Sequence, residues 1–315
     1  MPIAFVFPGQ GSQSVGMMAG FDTHPAIRST FDEASEVLGQ DLWALVTSGP
    51  DADLNQTVNT QPVMLTAGVA VWRAWNDAGG AKPESVAGHS LGEYTALVAA
   101  GAIAFRDAVP LVRYRAQAMQ EAVPAGVGAM AAILGLDATA VAAVCAETIA
   151  KTGPGRIVEP VNFNGPEQIV IAGHKDAVEA AIDLATEKGA KRGVLLPVSA
   201  PFHSSLMRPA AEKLATKLAS VPIAPPVIPV LYNVDVQQHS GADAIRSALA
   251  QQAAAPVRWV ETIQAFAARG VTHVVECGPG RVLAGLNKRI ARDLKSLALT
   301  DGADLEAARA ALPEK

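Results

Sequence analysis

The sequence predicts an α/β fold: a large subdomain on a parallel sheet, interrupted by a small ferredoxin-like (βαββαβ) subdomain. Three observations predict it. Short, wholly apolar runs such as "IAFVF" (Ile3 to Phe7) read as strands buried on both faces of a parallel sheet. Strand and helix patterns then alternate with short connections, which puts helices on the faces of that sheet. Between residues 126 and 198 the order changes to strand, helix, strand, strand, helix, strand.

The elements follow in order. The strand Ile3 to Phe7 runs into Pro8-Gly9-Gln10-Gly11. In "TQPVMLTAGVAVWRAWNDAGG", Pro62 marks a helix start, apolar residues recur at helical spacing, and Gly79-Gly80 stops the helix. "SVAGHS" gives a second buried strand and "LGEYTALVAAG" a helix. "RDAVPLVRYRAQAMQEAV" continues as helix, with Pro110 in its first turn. The character changes at Val123-Pro124-Ala125-Gly126. From there "GAMAAILGL" reads as strand and "DATAVAAVCAETIAK" as helix. "IVEPVNFN" and "EQIVIAG" read as a hairpin turning at Asn164-Gly165. "HKDAVEAAIDLATEKG" is helix and "RGVLLPV" strand. The small subdomain is therefore placed at 126–198, and 1–125 with 199–315 form the large one, to which "VIPVLYNV" and "THVVECGPG" return.

Composition excludes several function classes. The chain has 315 residues, 50% of them hydrophobic, enough to bury a substantial core. A net charge of −5 argues against a nucleic-acid binder. The two cysteines, Cys145 and Cys277, form no CxxC pattern, so neither a disulfide scaffold nor a cysteine-rich zinc site is expected, and a reducing cytoplasm is the natural home. The start "MPIAFVFPGQG" lacks the basic leader and cleavage site of a signal peptide. No run approaches the roughly 20 apolar residues that span a bilayer. A monomer, with no metal and no bound cofactor, is expected.

Gly88-His89-Ser90-Leu91-Gly92 carries the first chemical signal. A G-x-S-x-G between a strand and a helix is the nucleophile-elbow pattern, in which a sharp turn lifts the serine hydroxyl to a helix N-terminus. The flanking glycines are needed because side chains there would strike the neighbouring strand and helix. Serine needs a base. Of six histidines, His89 is adjacent to Ser90 and points elsewhere, while His24, His174 and His239 lie in turn-like surroundings and His273 in a strand run. His203, in "LLPVSAPFHSSLM", passes from a strand end into a helix start, where open α/β sheets place their sites. It reads as the base, with a cap on the following helix as the alternative. Hydrolases of this architecture place a carboxylate between the two in chain order. None stands at an obvious strand end here, so a backbone carbonyl or amide side chain is the expected orienting group. Arg113 and Arg115 sit two apart on an apolar helix, so at most one faces a pocket, where it would bind a carboxylate bidentately. "PGQGSQ" breaks the dinucleotide glycine spacing and can instead lend an N–H to an oxyanion hole.

Taken together, "FPGQGSQ", "TQPVMLTAG", "GHSLGEYTAL", "RYRAQAMQ", "NFNGPEQIVIAG", "SAPFHSSLM", "PVRW" and "GPGRVLAGLNKRI", in that order, span nearly the whole chain. The sequence resembles the malonyl-CoA:acyl carrier protein transacylases and the acyltransferase domains of polyketide and fatty-acid synthases. The resemblance implies an α/β-hydrolase-like large subdomain with the ferredoxin-like insert. It implies Ser90 as nucleophile, His203 as general acid/base, and Arg115 as partner of the malonyl carboxylate. Gln10 and Leu91 would supply oxyanion-hole amides, Gln252 (with Gln251 one position away) would orient the histidine, and Asn162 would lie near the substrate. Phe202 and Leu91 match the malonyl rather than the methylmalonyl pattern. The substrates implied are malonyl-CoA and the phosphopantetheine thiol of holo acyl carrier protein. An acidic carrier would meet the basic segment "GRVLAGLNKRIARDLK" near Arg281, Lys288 and Arg289, with Arg292 and Lys295 following. A serine esterase or thioesterase is the alternative activity.

Overall fold

A computed structural model describes residues 1–21, 24–153 and 155–312. Nine strands occur among the described residues: β1 (Ile3–Phe7), β2 (Ser85–Gly88), β3 (Gly128–Leu134), β4 (Val158–Gly165), β5 (Gln168–His174), β6 (Arg192–Leu195), β7 (Val230–Leu231), β8 (His273–Cys277) and β9 (Lys295–Leu299). They form two sheets. The first has the order β7-β2-β1-β8-β9 with every pairing parallel, and the second the order β4-β5-β3-β6 with every pairing antiparallel.

The chain divides into two compact units. The first comprises Met1–Tyr114, Val221–Ile245 and Thr262–Lys315 and holds the parallel sheet. Its central strands β1, β2 and β8 are buried at every position, as strands covered on both faces must be. The second comprises Arg115–Ser220 and Arg246–Glu261 and holds the antiparallel sheet. With helices Ala138–Thr152 and Lys175–Glu187 between its strands, this is the ferredoxin-like order expected. Its core joins Ala131, Ile133, Val141, Val144, Ile169, Ile171 and Val178. The sheet itself lies within 128–195, whereas the compact unit around it is wider.

Several elements differ from the sequence expectation. The helix containing Pro62 runs over Thr57–Asp77, so that the proline sits inside it. The helix starts early because Asn59 Nδ2 donates to Asp53 O and Thr60 Oγ1 to Leu54 O, anchoring a turn ahead of the proline. Pro110 is likewise beyond the first turn of the helix Phe105–Glu121. The hairpin turns at Pro166-Glu167: Gly165 already pairs with Gln168, and Asn164 is absorbed in a register shift between Phe163 and Gly165. Proline's fixed φ suits a turn position. The basic segment is helical only over Val282–Ile290, because Ala291 is extended and Lys295 opens β9, which pairs with β8. Among the described residues, no helix is long and apolar enough to cross a membrane.

Candidate active site

In the first unit the segment after β2 makes the turn that the glycine spacing demands. Ser90 has φ +53°, in the left-handed region that non-glycine residues seldom adopt. A Cβ on Gly88 would lie 1.8 Å from the Gly92 carbonyl carbon, and one on Gly92 would lie 2.0 Å from Phe7 O. Strand, elbow and helix Gly92–Ala99 thus approach closer than any side chain allows. Leu91 is buried at the N-terminal end of that helix, where amides have no intrahelical acceptor. The loop after β1 abuts the elbow: His89 N donates to Phe7 O at 3.0 Å, and a Cβ on Gly9 would lie 2.5 Å from His89 O. Gln10, next in that loop, is half-buried, and its Nε2 donates to Thr57 Oγ1 at 3.2 Å.

In the second unit His203 is 4% exposed and also has positive φ, +65°. Its Nδ1 lies 2.8 Å from the main-chain oxygen of Gln252, and its N–H donates to Ala253 O at 3.2 Å. A carbonyl only accepts, so in the neutral ring Nδ1 carries the proton and Nε2 keeps the lone pair of a base. Gln252 ends the helix Ala242–Gln252, where carbonyls lack intrahelical donors. The negative end of a helix dipole favours an imidazolium over the neutral ring.

Arg115 is 1% exposed, and its Nη2 donates to Gln252 Oε1 at 2.9 Å. Gln252 therefore touches His203 with its main chain and Arg115 with its side chain. Gln251 is exposed, and its Nε2 donates to Ser247 Oγ. Arg113, two residues before Arg115, instead donates to Gln40. Phe202 is buried beside His203. Asn162 bridges to Val257 in the segment following Gln252, and its Oδ1 is buried with no hydrogen-bond partner among the described residues.

The other histidines have local duties. His174 Nδ1 accepts the Ile157 N–H, His239 pairs with Asp235 at 2.8 Å, and His24 precedes the helix Pro25–Leu38. Burial pushes the Cys145 thiol up to about 12 and holds Cys277 well above its ordinary range, so neither supplies a thiolate near neutral pH.

Sequence reasoning missed two residues. Asn233, after β7, accepts the Ser90 N–H at 2.8 Å. Glu159, on β4, takes both the N–H and the Oγ–H of Ser205, at 2.7 and 2.8 Å, two residues past His203. Neither belongs to a local pattern, since each partner lies at least 46 positions away.

The acyl transferase domain family matches residues 4–304. The chain belongs to this family. Among curated relatives it is 54% identical over 306 residues to the malonyl CoA-acyl carrier protein transacylase of Salmonella typhimurium, covering 97% of this chain and 98% of that one. The Escherichia coli K12 protein of the same description is 53% identical, with the same coverage. Among solved structures, an acyl-carrier-protein S-malonyltransferase from Burkholderia pseudomallei superposes with a TM-score of 0.96 at 61% identity, covering 98% of this chain and 100% of that one. A malonyl-transacylase solved in complex with its type II PKS acyl-carrier protein superposes with the same TM-score at 51% identity, covering 99% of this chain and 100% of that one. This family member has the α/β fold of those structures, a five-stranded parallel sheet with a four-stranded antiparallel subdomain.

Proposed function

We propose that this chain transfers malonyl from malonyl-CoA to the phosphopantetheine thiol of holo acyl carrier protein, through a malonyl ester on Ser90, supplying malonyl units for fatty-acid or polyketide synthesis. The near-full-length likeness to malonyl transacylases carries this reading. Ser90 Oγ attacks the thioester carbonyl as His203 Nε2 takes its proton. The oxyanion forms on the backbone amides of Gln10 and Leu91. Collapse expels the CoA thiolate, which takes the proton from His203. The carrier thiol then gives its proton to His203 and attacks the ester, and Ser90 Oγ leaves and is reprotonated. The positive φ of Ser90 and the Nδ1–H tautomer of His203 support these roles.

Arg115 binds the malonyl carboxylate bidentately, held by Gln252, which also orients His203. The unpartnered Oδ1 of Asn162 supports a substrate contact there. Phe202 and Leu91 disfavour an α-methyl branch, by about 1–3 kcal/mol for one such group. Residues 126–198 act as the inserted subdomain of a catalytic body made by 1–125 and 199–315. The carrier docks near Arg281, Lys288 and Arg289; Lys288 and Arg289 are exposed at the end of helix Val282–Ile290, and Arg281 flanks a cavity of about 370 Å³ that Lys288 also lines. The enzyme works as a cytoplasmic monomer without metal or bound cofactor.

Intact mass spectrometry tests the reading. Malonyl-CoA should add one malonyl to the wild type and none to Ser90→Ala, and holo carrier protein should remove it. Loss to buffer at the same rate without carrier would instead mark a serine esterase or thioesterase.

A further inference from the structure

The elbow is held by a residue that takes no part in the acyl transfer just described. Asn233 is fully buried two residues past the end of β7. Its Oδ1 accepts the Ser90 N–H at 2.8 Å, and its Nδ2 donates to Gly88 O at 2.7 Å. One planar carboxamide thus spans the chain on both sides of His89. Its own backbone N–H goes to Glu93 Oε2 at 2.6 Å, and Glu93 is a fully buried residue in the first turn of the helix Gly92–Ala99.

Around the elbow the main chain makes other bonds. Gly92 N donates to His89 O at 2.9 Å and Glu93 N to Ser90 O at 3.1 Å, which begin the helix and leave the Ser90 N–H to the asparagine. Asn233 is itself fixed by a tight turn. Tyr232 N donates to Gln237 O, Val236 N donates to Tyr232 O, and Val236 sits at φ +59°. A β-branched residue in the left-handed region persists only where its surroundings over-determine it.

We propose that Asn233 is a positioning residue for acyl transfer, with Glu93 as its anchor. Its carboxamide holds the Ser90 peptide in the left-handed conformation that aims Oγ. It also occupies the Ser90 N–H, leaving the developing oxyanion to the amides of Gln10 and Leu91. The role requires an acceptor and a donor on one short rigid group. Aspartate lacks the donor when ionised, and glutamine is one methylene too long. The inference rests on reading Ser90 as the nucleophile.

The test uses the full chain as wild type, Asn233→Ala, Asn233→Asp and Ser90→Ala, with malonyl-CoA under rapid quench and intact-mass readout. Asn233→Ala is expected to accept one malonyl per chain with unchanged KM, but with acylation per acylatable chain slowed on the order of 10²-fold, the usual scale for a displaced reacting atom. In Asn233→Asp the carboxylate accepts from Ser90 but cannot donate to Gly88 O, whereas the protonated acid does both. Its rate relative to wild type should therefore rise as pH is lowered. A merely structural role would lower melting temperature and leave the rate per acylatable chain at the wild-type value, which would overturn the inference. Should Asn233→Ala fail to fold, a flat pH ratio for Asn233→Asp would overturn it. An adduct persisting in Ser90→Ala would overturn the nucleophile reading and this inference with it. Wild-type rates in the Asn233 variants, with Ser90→Ala blank, would overturn this inference alone.

Discussion

Replacing Gln252 by alanine removes the side-chain oxygen that accepts from Arg115 Nη2 at 2.9 Å, yet keeps the main-chain oxygen that His203 Nδ1 meets at 2.8 Å. The two consequences are separable. A hydrogen bond to a charged group contributes about 1.5–3 kcal/mol. At about 1.4 kcal/mol per tenfold, kcat/KM for malonyl-CoA should fall about 10- to 100-fold. Transfer of acetyl from acetyl-CoA, which offers no carboxylate to Arg115, should hardly change. The pH limb set by His203 should keep its wild-type midpoint, because its acceptor is untouched. Steady-state kinetics with both thioesters across pH 5–9 measures all three quantities. A midpoint displaced by about one unit, equivalent to about 1.4 kcal/mol, or an equal loss with acetyl-CoA, would refute the division of labour assigned to Gln252.

Other perturbations have equally definite outcomes. Gly92→Ala places a methyl 2.0 Å from Phe7 O, a main-chain atom that cannot swing away, so the variant should lose about 3 kcal/mol or more of stability, read by chemical denaturation. Glu159→Ala frees the Ser205 N–H and hydroxyl and should lower kcat, while Glu159→Gln, which keeps an acceptor, should restore most of it; equal kcat in both variants and wild type would show that the His203 loop needs no such hold. Glu276 is fully buried, and desolvation raises its carboxyl to about 7, against hydrogen bonds from the Ala284 and Leu283 amides that lower it. Between its ordinary value of 4.5 and about 7 the folded chain keeps a proton that the unfolded chain has released. Stability should therefore fall as pH rises through that window, by at most about 3 kcal/mol. Glu276→Gln should flatten this slope in melts at pH 5 and pH 8, and an unchanged slope would assign it to other groups.

The elements most legible in the sequence are those whose physics is local. The run Ile3 to Phe7 reads as a doubly covered strand and is one, and the two glycines around Ser90 are dictated by contacts of 1.8 and 2.0 Å that the G-x-S-x-G spacing anticipates. Boundaries set by which particular side chains and strand residues bond were not legible. The Pro62 helix starts early because of bonds to Asp53 and Leu54, and the hairpin turns two residues late because β5 fixes the register. In the candidate site, residue type and context pointed to Ser90 and His203, whereas the choice of Arg115 over Arg113 rested on the family resemblance. Which atom accepts from His203 was not legible, since both a main-chain carbonyl and an amide side chain were open and only the helix end at Gln252 makes this carbonyl available. Asn233 lies 143 positions from Ser90, beyond any local motif.

That carbonyl has an evolutionary consequence. A triad carboxylate is encoded by one codon, and losing it loses the base's partner. Here any amino acid at 252 that preserves the helix end still presents the same oxygen to His203. The side chain at 252 is separate from that oxygen, its own contact being with Arg115. On the proposed roles, a substitution at 252 would alter the grip on the arginine and leave the acceptor facing His203 in place.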